Sequence, residues 1–105
     1  MDGYSDVDLD VLIADGTVDA YGDDEQLTGL CTMIEDNLAT PFETEVLGVP
    51  VTVEHVRLTD ANHVVAICRG NDTRQAIGVL ELPLPSPPPT GAEWIAAYRR
   101  WATRR

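Results

Sequence analysis

The sequence predicts an α+β domain: a pair of acidic helices, a small antiparallel β-barrel, and a last helix. Three observations predict it. Apolar residues recur at helical spacing as far as about residue 40, alternate from Phe42 to about residue 80, and return to helical spacing after a proline-rich stretch. The chain is 105 residues long with 44% apolar content, which suits one domain with one core. It divides into an acidic helical part over 1–40, the barrel over 41–80, a connector over 81–90 and the C-terminal helix over 91–105.

The first helix is expected over 6–20, with Leu9, Leu12, Ile13 and Ala20 on one stripe. Gly16 falls on that stripe and marks either close approach of another element or a break. Tyr21-Gly22-Asp23 reads as a turn, with Asp23 as N-cap of the second helix and Gln26 completing a capping-box-like pair. The second helix, over 24–38, carries Leu27, Leu30, Cys31, Ile34 and Leu38 on its core face, and Pro41 stops it.

Strands follow near 42–47, 50–59, 63–69 and 74–79. The turns between the last three are Thr59-Asp60-Ala61-Asn62 and Arg69-Gly70-Asn71-Asp72. In the second strand the apolar phase slips between Glu54 and Val56, which predicts a bulge. Long bent strands joined by short turns suit an SH3-like antiparallel β-barrel of four or five strands. The connector, Leu-Glu-Leu-Pro-Leu-Pro-Ser-Pro-Pro-Pro over 80–89, is polyproline-like, and its alternating leucines pack on the barrel. Thr90 and Glu93 form a capping box for the last helix, whose stripe is Trp94, Ala97, Tyr98 and Trp101. Arg99, Arg100, Arg104 and Arg105 complement the negative end of that helix.

Charge is distributed unevenly. The first 45 residues hold 13 carboxylates and no basic residue, and the other 60 hold 5 acids and all 7 arginines; lysine is absent. The net charge is −11. Such a front half repels phosphate, so no nucleic-acid partner is expected. No apolar run approaches the length of a membrane span, and Met1 to Asp10 lacks a basic n-region, so the reading is a cytoplasmic protein. Cys31 and Cys68 sit in separate apolar runs and read as buried thiols without a disulfide.

Few patterns carry chemistry. His55, His63 and Cys68 lack zinc-site spacing, and there is no phosphate loop or nucleophile elbow, so no enzyme is expected. Calcium takes hard oxygen ligands, which the front half supplies in number. An EF-hand register on Asp6, Asp8 and Asp10 fails, because it puts Val11 at the glycine position and Thr17 at the bidentate acid. The acids that cluster instead are Asp19, Asp23, Asp24 and Glu25 at the first helix–helix turn, and Glu35 and Asp36 at the far end of the second helix. Eleven residues of helix separate Asp24 from Glu35 by about 16 Å, too far to share one ion. A solvated acidic surface, with Glu35 paired to Arg57, Arg69 or Arg74, is the competing explanation. Tyr21 and Phe42 read as core anchors.

The run Val18-Asp19-Ala20-Tyr21-Gly22-Asp23-Asp24-Glu25-Gln26, with Gly29, Ile34-Glu35-Asp36-Asn37-Leu38 and Pro41-Phe42, resembles the CcbP-type bacterial calcium-binding protein family. The resemblance covers roughly residues 17–80 and is strongest over 18–42; the proline-rich connector and the last helix fall outside it. It implies a small acidic protein that binds Ca2+ through carboxylates outside any EF-hand, with Asp19, Glu25, Glu35, Asp36 and Asn37 on matching positions. The expected function is thus a calcium buffer or sensor, with a protein partner possible in the sensor case. The alternative is a metal-independent protein–protein interaction module, for which Trp94, Tyr98, Trp101 and the arginines of the last helix would be the docking surface.

Overall fold

The computed structural model describes residues 4–104; Asp2 and Arg105, which the charge count includes, lie outside them. Helix α1 (Asp6–Gly16) and helix α2 (Asp23–Asn37) precede four strands, β1 (Phe42–Val46), β2 (Val49–Leu58), β3 (Val64–Gly70) and β4 (Thr73–Gly78), and helix α3 (Ala92–Thr103) follows. The strands form one antiparallel sheet in the order β1-β2-β3-β4, each paired to its sequence neighbour. The expected bulge is present: register shifts between Val53 and His55, leaving Glu54 as the extra residue.

The expected barrel does not close. Sheet order leaves β1 and β4 as free edges, and the segment after β4 supplies no fifth strand. The physical reason lies in the connector, where Pro83, Pro85, Pro87, Pro88 and Pro89 have no N–H with which to extend a ladder. That segment still crosses to β1, but it is held there by side chains. Thr44 Oγ1 on β1 donates to the Pro83 carbonyl at 2.7 Å, Leu82 is buried, and Leu84 packs against the core.

One face of the sheet carries the core. Val53, Val56, Val64, Ala66 and Cys68 meet Leu27, Leu30, Cys31, Ile34 and Leu38 from α2 and Trp94, Ile95 and Tyr98 from α3. Every residue of the expected α2 stripe is therefore buried. On α3 the expected stripe omits Ile95, which is fully buried, while Trp101 is only half-buried. A smaller cluster of Leu9, Ile13 and Ala97 joins α1 to α3.

Helix α1 is shorter than expected because Gly16 is both the break and the close approach. Thr17 ends the helix, its N–H and its hydroxyl both donating to the Ile13 carbonyl. Gly16 lies against Leu30 and Trp94, and a Cβ on Gly29 of α2 would overlap the Gly16 carbonyl oxygen. Two caps also differ from expectation. Gly22, not Asp23, is the N-cap of α2, and Gly91, not Thr90, that of α3; neither makes a side-chain capping bond. Gly91 takes that place at φ 90°, pressed so closely on the Asn37 carbonyl that a Cβ would overlap it, while the Thr90 carbonyl accepts from Ala39 N–H.

Overpacking a backbone contact costs about 1–3 kcal/mol, against roughly 1 kcal/mol of helix propensity gained by alanine. Gly29→Ala is therefore expected to lower the urea midpoint, by a net loss of up to about 2 kcal/mol. An unchanged or raised midpoint would show that α1 and α2 do not meet closely at this glycine.

Candidate functional site

The acids divide into those that meet arginine and those that do not. On α1, Asp10 accepts from Arg100 Nε at 2.8 Å and from Arg104 NH1 at 2.7 Å, and Asp6 lies 3.3 Å from Arg100 NH1. The C-terminal arginines thus reach acids on the first helix. The Arg99 guanidinium donates to the carbonyls of Val79 and Leu82, which fixes the exit from β4. On the outer face of the sheet, Arg69 and Arg74 both meet Glu54, the bulged residue. They do not meet Glu35, so the ion pair expected for Glu35 with either of them is absent.

The candidate ligands lie elsewhere and are exposed. Asp19 takes a left-handed conformation, φ 65°, in the turn after α1. Asp23, Asp24 and Glu25 form the first turn of α2, where negative charge is favoured by the helix dipole. Glu25 Oε1 turns back to accept at 2.8 Å from the N–H of Tyr21, the residue before the N-cap, a four-residue reach where a capping box spans three. Gln26, expected in that role, accepts from Trp101 Nε1 at 2.9 Å and ties α2 to α3. Asp24 Oδ1 receives Asn62 Nδ2 at 3.4 Å, a contact between the α2 start and the β2–β3 turn that local sequence does not reveal. Tyr21, expected as an anchor, is 89% exposed, whereas Phe42 packs on the core.

Glu35 and Asp36 close the last turn of α2, which holds no basic residue. Negative charge there opposes the helix dipole. Asn37 Nδ2 bonds to the Met33 carbonyl at 2.8 Å. Glu35 also lines a shallow pocket with Leu38, Thr40 and His55.

In donor chemistry these residues fit calcium, being exposed hard oxygens. In geometry they form no closed cage. Among the described residues, no three acids, histidines or cysteines converge closely enough to hold a metal ion. His55 and Cys68 belong to opposite faces of the sheet, one exposed and one buried. Both cysteines are free and buried. Burial, aided by the charge of Glu35, pushes the Cys31 thiol up to about 11, and burial raises Cys68 as well. No described helix is long and apolar enough to cross a membrane.

Comparison with protein-family models, with curated proteins and with solved structures finds no match to this chain.

Two expectations follow. The hydrogen bond from Arg100, with the charges of Arg100 and Arg104 behind it, holds the Asp10 carboxyl below the ordinary value of 3.8. A carboxyl lowered on folding contributes stability that is complete above its unfolded value and lost as pH falls through its folded one. Asp10→Asn should therefore be less stable than the parent at neutral pH, and the two urea midpoints should converge in acid. A gap that stays constant down to about pH 2 counts against the pairing. Separately, reactivity requires thiolate, so neither cysteine should react with Ellman's reagent at neutral pH until the chain is unfolded in urea.

Proposed function

We propose that this chain is a non-enzymatic calcium-binding protein, a buffer or sensor that uses carboxylates outside any EF-hand, as in the CcbP-type family its motif resembles. The observation that supports the reading is where arginine neutralisation stops. Arginines reach Asp6, Asp10 and Glu54, but Asp19, Asp24, Glu25, Glu35 and Asp36 have no ion pair among the described residues. Like charges left together at a tight corner repel, and a divalent cation removes that cost.

Of Asp19, Asp23, Asp24 and Glu25 at the α1–α2 corner, one or two at a time would hold the ion. Turn carbonyls and water would supply most of its shell, since among the described residues no three acids converge there. Glu35 and Asp36 would form a second, separate locus at the end of α2. An open set of this kind suits hydrated, exchangeable binding more than tight sequestration. In a sensor, filling the corner would also change the field that the front half presents to a protein partner.

Calorimetric titration of chelator-stripped protein, in physiological salt with millimolar magnesium, tests the reading. Saturable, stoichiometric calcium binding is expected. Calcium at one hundred times Kd should raise apparent stability by about 2.7 kcal/mol. Asp19→Asn is the informative variant, because asparagine keeps the left-handed turn and removes only the charge. Paired with Asp24→Asn, it should weaken binding on the order of tenfold or more without lowering the chain's thermal stability. Heat that never saturates, or that magnesium abolishes, would refute a built calcium site.

A further inference from the structure

We propose that the uncharged trough at the open end of the sheet is a self-association surface, and that its occupant is Leu47 from a second copy of this chain. The proposal does not depend on the calcium reading. Beyond the helices, the core face of the sheet continues uncovered toward the β1–β2 and β3–β4 turns. There it forms a trough of about 410 Å³, with Val49, Val51 and Ile77 on its apolar walls and Gln75 at an exposed position.

Leu47 stands at the rim of this trough and is unexplained by the monomer. It is 99% exposed, and it takes φ 52° as the first central residue of the two-residue β1–β2 turn, with Gly48 at φ 79°. Both residues of the β3–β4 turn, Asn71 and Asp72, also have positive φ, but those are the residue types such a turn favours. A leucine in that conformation is strained. It gains no compensating burial within its own chain, so two unfavourable choices coincide on one side chain.

Why a second copy is the occupant follows from charge and symmetry. Two chains of net charge −11 repel wherever their acidic surfaces meet. All ten residues lining the trough are uncharged, in a chain in which 24% of residues are charged. A knob and a hole on the same patch are what a two-fold, self-complementary interface requires. An apolar cavity of about 150 Å³ accepts a benzene ring, so the trough has room for a leucine side chain with its flanking backbone.

Sedimentation equilibrium of the full chain, across protein concentrations and from low to molar sodium chloride, tests this. A monomer–dimer equilibrium that tightens with salt is expected, because screening removes the repulsion and leaves the apolar contact. Leu47→Asn relieves the turn and removes the knob, so it should keep or raise the melting temperature. It should also weaken dimerisation on the order of thirtyfold or more, the loss that marks an interface hot spot. Gln75→Trp plugs the trough from an exposed position and should abolish dimerisation while leaving the circular dichroism spectrum unchanged. A chain that stays monomeric at its solubility limit in molar salt overturns the proposal. So does a dimer whose strength neither substitution alters, since the copies would then meet elsewhere.

Discussion

The docking of the last helix on the first is the interaction on which the rest of the structure depends. Helix α1 packs mainly on helices, against α3 and α2, and its buried apolar residues are Leu9 and Ile13, which meet Ala97. Asp10, with Arg100 and Arg104, adds a polar edge to that contact. Helix α3 meanwhile supplies Trp94, Ile95 and Tyr98 to the main core, Trp101 to Gln26, and Arg99 to the carbonyls that leave β4. It therefore contacts the N-terminal helix, the second helix and the far edge of the sheet at once. The ion pairs are exposed and individually worth little. Their value is in orientation, because the apolar contact they border is small.

The placement of charge follows from this arrangement. Among the described residues, the guanidiniums of Arg69, Arg74, Arg99, Arg100 and Arg104 are already engaged. Arg69 and Arg74 converge on the bulged Glu54, Arg100 and Arg104 on α1, and Arg99 on backbone oxygens. Little positive charge is left for the α1–α2 corner or the end of α2. The first cluster gains some compensation from the positive end of a helix, and Glu25 gains more by closing on Tyr21 N–H. Glu35 and Asp36 have neither advantage, since they lie at the negative end of α2 with no basic residue in its last turn.

Much of the architecture was legible because it is local. The alternation from Phe42 onward placed all four strands nearly at their observed ends, and the phase slip at Glu54 identified the bulge. The α2 stripe was legible for the same reason, since helical periodicity alone determines which side chains share a face. Barrel closure was not, because it depends on whether two distant edges pair. The prolines that suggested an extended connector are also what prevent it from serving as a closing strand. The caps were misplaced by one residue where backbone contact outweighed side-chain preference, as at Gly91 against Asn37. Acid identity could be read from the sequence, but acid pairing could not: ninety residues separate Asp10 from Arg100. Nothing in the order of residues distinguishes an acid held by arginine from one left free.

The α1–α3 contact also has a consequence for how the protein is made. A ribosome releases the chain from its N-terminus, so α1 emerges long before the helix it docks on exists. Until α3 is out, Leu9 and Ile13 lack Ala97, their partner in the folded chain, while α1 can already approach α2 at Gly16 and Gly29. The sheet can form in the interval, since each strand pairs with its immediate successor. Completion of the fold, however, waits until α3 has been synthesised. The clustered acids of the front half bear on that interval, because repulsion between like-charged nascent chains opposes their association while an apolar stripe is still uncovered.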